Sequence, residues 1–252
     1  MQSIILQQLE ETTQKNKPIY YIGNLALLER VGVAIIGSRK PNGYAKNQTT
    51  LLASALAEVG CCVISGGAIG TDALAHKGAG AENTIMVSAT GLDVRYPSIN
   101  KNLIAAIEQN GLVLSQFPPK TPSLRYHFPM RNELIVALAK VVVVPYADEN
   151  SGSMRSIEYA LKMKKEIYVL PHRLGESVAT NKLIQEQKAK VIFDIDAFVG
   201  MFGERKAVLE DELLAFVQNP KPYDEVLSRF GQKVFEYELL GKITIQNGMV
   251  TA

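Results

Sequence analysis

Residues 61 to 76 read Cys61-Cys62-Val63-Ile64-Ser65-Gly66-Gly67-Ala68-Ile69-Gly70-Thr71-Asp72-Ala73-Leu74-Ala75-His76: a short apolar run, a glycine-rich loop and the start of an amphipathic stretch. This is the sequence form of a strand feeding a helix through a tight turn. The same unit recurs outward in both directions. Strand-like runs fall at Val33 to Ile36, Thr84 to Val87, Leu112 to Ser115, Val141 to Pro145 and Ile167 to Leu170. Helical stretches lie between them, from about Tyr44 to Val59, Thr71 to Ala79, Asn100 to Gln109, Arg131 to Ala139 and Ser153 to Lys164. Alternating strands and helices predict a mostly parallel sheet covered on both faces. The uninterrupted Val141-Val142-Val143-Val144 agrees, because a half-solvated strand would alternate apolar and polar residues. The expected fold class is α/β, doubly wound.

Around this block, Lys17 to Gly23 is expected to add an edge strand after a short N-terminal helix, which gives a main domain over 1–202. A helix suggested by Ala207 to Val217 and the stop Asn219-Pro220-Lys221-Pro222 read as a linker over 203–221. Beyond it, a helical stretch from Lys233 to Leu240 precedes Lys242 to Gln246 and Met249 to Thr251, two strand runs flanking Asn247-Gly248, a strong hairpin signal. Residues 222–252 are therefore read as a small winged-helix-like module.

Composition excludes several classes. The 252 residues are 47% hydrophobic and 21% charged, with mean hydropathy +0.04, which is ordinary globular usage. No run approaches the ~18 apolar residues of a membrane span, and Met1 to Lys17 is not signal-like, so a cytoplasmic protein is expected. Adjacent Cys61 and Cys62 suit reduced core thiols. His76, His127 and His172 are scattered, without zinc-ligand spacing, and a lone helix histidine such as His76 is usually packing. No metal, cofactor or catalytic residue is assigned. Walker-type and dinucleotide glycine spacings are absent, and Ser151-Gly152-Ser153 lacks the frame of a serine nucleophile. The net charge is +2, split between −2 from Gly203 onward (six Lys/Arg, eight Asp/Glu) and +4 before it.

Ligands of such sheets bind beyond the carboxyl ends of the strands. Here those loops are Gly37-Ser38-Arg39-Lys40, Ser65 to Asp72, the long Gln116 to Met130, and Asp148 to Ser153. Helix N-termini with small residues and hydroxyls hold anions. For any single loop, glycines that merely shape a turn explain the sequence as well; three such loops with basic residues point to phosphates. Arg125-Tyr126-His127-Phe128-Pro129-Met130-Arg131-Asn132 adds cations interleaved with rings, as on single-strand binders, although an ordinary half-buried loop reads the same way in isolation. Lys162, Lys164 and Lys165 either complement a helix dipole or line the same groove.

In order along the chain, Val33 to Arg39, Ser65 to His76, Gly91-Leu92-Asp93-Val94-Arg95-Tyr96-Pro97, Phe128-Pro129-Met130-Arg131-Asn132 and Ser151-Gly152-Ser153-Met154 resemble the DprA (Smf) family of natural transformation. That resemblance implies an extended Rossmann-like domain that forms a homodimer, binds single-stranded DNA and double-stranded DNA more weakly, and loads the recombinase RecA. It implies DNA contacts at Gly37, Ser38, Arg39, Gly66, Gly67, Arg125, Phe128, Arg131, Asn132, Ser151, Gly152, Ser153 and Lys162. Two positions depart from the family pattern: Ile69 and Glu133 stand where arginine is usual. A rival reading is a Rossmann-type nucleoside-monophosphate phosphoribohydrolase with Arg131 and Glu158 as its catalytic pair. Against it, Glu158 is expected to pair with Lys162 one helical turn on. A pure interaction scaffold with vestigial anion loops is the third.

Overall fold

The computed structural model describes residues 2–10, 12–149, 151–204, 212–239 and 241–251. They fall into two compact units, Met1–Glu204 and Arg205–Ala252.

The first unit is built on a nine-stranded sheet of order β1-β2-β6-β5-β4-β3-β7-β8-β9. In chain order the strands are β1 (Gln2–Ile4), β2 (Ile19–Gly23), β3 (Gly32–Ile35), β4 (Cys62–Ser65), β5 (Thr84–Ser88), β6 (Leu112–Ser115), β7 (Val141–Val144), β8 (Glu166–Val169) and β9 (Lys190–Val191). From β3 onward all pairings are parallel, and β2 joins β6 antiparallel. The expected edge strand is thus present, but the expected short N-terminal helix is a single 3-10 turn, Gln7–Leu9, with a strand before it. That strand, Gln2–Ile4, pairs with β2, and the turn drops Leu6 and Leu9 into the core.

Strand alternation explains why the β-branched runs carry no polar face. Val33, Ile35, Val63, Val141 and Val143 point to one side, against Leu52 and Leu56 of α1 (Gly43–Glu58), Ala75 and Ala79 of α2 (Thr71–Ala79) and Phe198 of the later helix Ile195–Val199. On that side, too, α3 (Lys101–Asn110) packs Ile104 and Ile107 on Met86 and Val113. Ala34, Ile64, Val142 and Val144 point to the other, against α4 (His127–Leu138), α5 (Ser153–Lys162) and α6 (Val178–Gln185). Each large aliphatic side chain so buried contributes about 1.5–3 kcal/mol.

Helix α4 begins four residues earlier than the apolar pattern predicts. Pro129 falls in its first turn, where a missing N–H costs nothing, so Phe128 and Arg131 ride on a helix and the preceding loop ends at Tyr126. Strand β3 lies between β4 and β7, and the connections run outward from it in both directions. The loops after β3 and β7 consequently diverge, leaving a crevice at the carboxyl edge.

The second unit has the order helix, strand, two helices, hairpin. It comprises α8 (Glu212–Phe216; α7 is the helix Ile195–Val199), β10 (Lys221–Pro222), α9 (Tyr223–Phe230), α10 (Lys233–Leu239), β11 (Thr244–Gln246) and β12 (Met249–Thr251), with sheet order β10-β12-β11. Asn247 and Gly248 take φ of 52° and 75°, as the tight hairpin requires. This module starts earlier than 222. Leu213 and Val217 are buried with Val226, Val234, Ile243 and Val250, and Lys221–Pro222 is a strand, so the segment assigned to a linker belongs to the module. Of the expected helix from Ala207, residues 207–211 lie outside the described residues, as does Leu240. The module's described cations, Lys221, Arg229, Lys233 and Lys242, each lie over an aromatic ring. Among the described residues, no helix is long and apolar enough to cross a membrane.

A unit this small has a marginal core. Leu213→Ala, at a cost of about 2–5 kcal/mol, is expected to unfold it: amide resonances of 212–251 should collapse to random-coil dispersion while those of 2–204 stay in place.

Candidate nucleic-acid interface

The cleft at the carboxyl edge is organised from below by Arg131, which is 4% exposed. From the second turn of α4 its Nη1 donates to the carbonyls of Gly66 (2.5 Å) and Val87 (2.6 Å), and its Nε donates to Asn132 Oδ1 at 3.1 Å. Nearby, Asp72 is buried in the first turn of α2 and accepts from the Ala68 amide at 3.3 Å. Burial pushes the Asp72 carboxyl up, opposed by the Arg131 charge and by the Ala68 and Gly66 amides. Burial likewise pulls Arg131 down, and Asp72 opposes it. The two charges compensate each other in a dry site.

This arrangement revises the expected role of the glycines. The Ala68 and Gly66 amides face the protein's own Asp72 carboxylate, so those two donors are already committed. Gly66 is required because a Cβ there would lie 2.4 to 2.5 Å from the Arg131 guanidinium. Gly67, at φ 72°, would meet the Met86 sulfur at 2.7 Å, and Gly37 would meet Thr71 Oγ1 at 2.7 Å and the Tyr146 carbonyl at 2.8 Å. The Ser38 amide donates to the Tyr146 carbonyl at 2.9 Å, and its own carbonyl accepts from Thr71 N and Oγ1 at 3.1 and 3.0 Å. Turn shaping is what these glycines do, and the two loops are tied to each other and to the strands beneath.

Above this frame a cavity of about 90 Å3 is lined by Arg39, Gly66, Ala68, Ile69, Ala89, Tyr96, Pro97, Phe128 and Arg131. Arg39 is exposed, and its guanidinium stands 5.8 Å from the centre of the Phe128 ring. Among the described residues Arg39 has no acidic partner. Tyr96 faces Phe128 with ring centres 5.9 Å apart and planes at 56°. A cation over one ring and a second ring beside it form a slot for a flat, anionic ligand such as a nucleotide. Ile69, 40% exposed at the rim, offers apolar contact in place of charge.

Of the remaining expected contacts, Arg125 is exposed just before α4, while Asn132 buttresses Arg131. Ser151 and Ser153 hydrogen-bond each other at 2.6 Å at the start of α5, and a Cβ at Gly152 would meet open space. Asn150 in that loop lies outside the described residues. Lys162 is not part of the cluster: α5 runs away from the carboxyl edge and Lys162 is its last residue, about 13.5 Å from Ser153 at 1.5 Å per residue. Lys165 instead donates to the carbonyls of Ala137 and Ala139, closing the end of α4.

The Glu133 carboxylate is turned away from the cleft and receives the Thr13 amide and hydroxyl, so its negative charge does not face the ligand. Glu158 pairs with Arg155 at 2.8 Å, not with Lys162, and is exposed, whereas Arg131 is buried under the Gly66 loop; no catalytic pair forms. Among the described residues, no group of three His, Cys, Asp or Glu side chains could hold a metal. His76 is fully buried, with Nδ1 2.6 Å from Thr84 Oγ1, whose own hydrogen goes to the Val63 carbonyl. Nδ1 therefore carries the ring hydrogen. Tyr96 and Asp72 were not singled out from sequence; the Tyr-Pro step after β5 was the available signal for the first.

Residues 5–203 match the family model of DNA recombination-mediator protein A. The DNA processing protein DprA of Streptococcus pneumoniae is 37% identical over 172 residues, covering 67% of this chain and 61% of that protein. A structure of DNA processing protein A from Helicobacter pylori, described for its single-stranded DNA binding mode, is similar with a TM-score of 0.77 and 39% identity over 79% of this chain and 94% of that one. The crystal structure of the S. pneumoniae protein gives a TM-score of 0.73 and 32% identity over 81% of this chain and 75% of that one. The chain spans 40% to 63% of the length of curated relatives from four bacteria.

Two predictions follow from the buried frame. Gly66→Ala forces Arg131 off its carbonyls and should cost about 1–3 kcal/mol in urea unfolding. His76 is pushed down to about 3 by burial and by Arg131, from an ordinary 6.5. Between those values the unfolded chain takes up a proton that the folded one refuses, so this group's contribution is lost as pH falls from about 6.5 to about 3, at about 1.4 kcal/mol per pH unit. His76→Asn should flatten the acid limb of stability against pH by one proton; equal slopes would contradict the assignment.

Proposed function

The chain belongs to the DNA recombination-mediator protein A (DprA) family, and from that premise we propose that it is a single-stranded DNA-binding recombination mediator. In this reading it acts as a cytoplasmic, non-catalytic homodimer that protects incoming DNA in natural transformation and helps RecA assemble on it. The observation that carries the DNA part is the slot of Arg39, Phe128 and Tyr96 at the crevice beside β3. Arg39 and Arg125 supply phosphate attraction, and Phe128 with Tyr96 supplies a face on which a base stacks. Paired bases cannot enter such a slot without unstacking, so a single strand is preferred to a duplex. Arg131, Asn132, Gly37, Gly66 and Gly67 act by holding the slot's frame, and the Ser151 to Ser153 loop contributes hydroxyls at a helix N-terminus.

The phosphoribohydrolase reading needs Arg131 and Glu158 together on one ribose, and they are committed elsewhere. RecA and homodimer partnership rest on family membership. Among the described residues the second unit's cations are stacked on its own rings, which favours a protein contact over phosphate binding for that module.

Fluorescence anisotropy of labelled oligo-dT against the matching duplex, across a salt series, tests the proposal. Binding should favour the single strand and weaken with salt. Arg39→Ala should flatten the log-log salt slope by ~0.7, and Phe128→Ala should cost about 1–3 kcal/mol with the slope unchanged. No binding at low salt by a folded protein would remove the reading.

A further inference from the structure

A second cavity, of about 670 Å3, begins at Asn42, where the loop 37–42 ends, and shares no lining residue with the Arg39 slot. It lies between the N-terminus of α1 and the segment after β8, and its walls include Asn42, Gly43, Tyr44, His172, Arg173 and Glu176. The DNA slot uses none of them.

Three features define its chemistry. First, α1 is 16 residues long, and its capping residue Asn42 takes the Ala45 amide on Oδ1 at 2.8 Å. The amides of Gly43 and Tyr44 have no carbonyl within the helix to bond. A Cβ at Gly43 would meet nothing within 4 Å, so this anion-seeking end is open to approach, and exposed Arg173 adds a cation. Second, the His172 side chain is fully buried, with Nε2 2.7 Å from the Pro145 carbonyl. A carbonyl only accepts, so Nε2 carries a hydrogen, and in the tautomer with that one ring hydrogen Nδ1 presents a lone pair. That Nδ1 is buried without a partner and lies 4.0 Å from Glu176 Oε2, another acceptor, which Asn42 Nδ2 approaches at 3.2 Å. Two facing acceptors are satisfied by a ligand that donates, a hydroxyl or an amino group. Third, Tyr44 stands edge-on to His172 with ring centres 5.5 Å apart and keeps 43% of its surface exposed, a platform for a flat group.

We propose that this cavity binds a ribonucleoside 5′-phosphate: phosphate on the Gly43 and Tyr44 amides and Arg173, sugar or base donors on His172 Nδ1 and Glu176, and the base against Tyr44. Phosphate, hydroxyl donors and a planar ring are the three groups that these walls address, and a nucleotide carries all three. The site does not rest on the DNA reading.

Calorimetric titration of the full chain with AMP, ribose 5-phosphate and inorganic phosphate tests it. AMP should bind about tenfold or more tightly than ribose 5-phosphate, a difference of about 1.4 kcal/mol, and inorganic phosphate should be weakest. Arg173→Ala, at an exposed position, should weaken AMP about tenfold. Gly43→Pro should do the same by removing one amide. Proline fits the first helical position, and Asn42 is already extended at φ −68° and ψ 173°, as a residue before proline must be. Arg39→Ala should leave AMP binding intact while impairing DNA binding, so the two readings fail separately. Absence of AMP binding, or equal binding of AMP and ribose 5-phosphate, overturns the proposal. Loss of AMP binding in Arg39→Ala, or its displacement by oligo-dT, also overturns it and makes the cavity an extension of the DNA cleft.

Discussion

A guanidinium buried among strand ends is the constraint on which the rest of this carboxyl edge depends. Arg131 would be costly to desolvate alone, by several kcal/mol even after relaxation. Its cost is offset locally: two carbonyls accept from it, Asn132 holds its Nε, and Asp72 supplies the counter-charge. Those contacts in turn dictate the neighbours. Gly66 must lack a side chain, Asp72 must sit in the first turn of α2 where amides reach it, and α4 must start early enough to project Arg131 under the β4 loop. The cleft is therefore rigid for an electrostatic reason, and its rigidity precedes any ligand.

The same constraint divides labour at the surface. Donors that face inward are spent on the frame, so a ligand meets what rides above it: Arg39, Phe128, Tyr96 and Ile69. In the proposed reading such a surface recognises a phosphate by charge and a base by its face, with few hydrogen-bond donors to read base identity. It is suited to nucleic acid of any sequence. Ile69 at the rim adds apolar contact and no Coulomb attraction.

The layers of the first unit were legible because β-branched runs and amphipathic stretches alternate with a clear period. The central five strands and their helices could be placed to within a few residues. What failed did so for identifiable reasons. Gln2–Ile4 pairs with β2 through backbone bonds that leave little pattern in three residues, and Pro129 masked the start of α4 because its tolerance in a first turn is positional. Leu213 and Val217 looked like a free helix before a proline stop, and only tertiary burial assigns them to the module. At the site, sequence could show that glycines and cations gather on loops after strands. It could not show which way they face: Arg131 and Arg39 are alike as letters, yet one is interior and the other exposed. Lys162 was misplaced for a related reason, since a ten-residue helix carries its end to the far edge of the sheet.

The loop from Gly37 to Asn42 is the wall shared by both cavities, and its anchoring bears on how they communicate. Ser38 spends its amide on Tyr146 and its carbonyl on Thr71, while Gly70 sits against the Arg39 backbone, where a Cβ would fall 2.5 Å from its carbonyl oxygen. A ligand on one side changes affinity on the other only if it binds two arrangements of this wall differently. With Ser38 held through both its amide and its carbonyl and no slack for a side chain between the loops, a second arrangement requires breaking those hydrogen bonds together. The geometry thus favours two nearly independent sites, with shape coupling blocked by the tied loop and only a small Coulombic term left between Arg39 and the α1 terminus. Coupling of that kind is screened by salt.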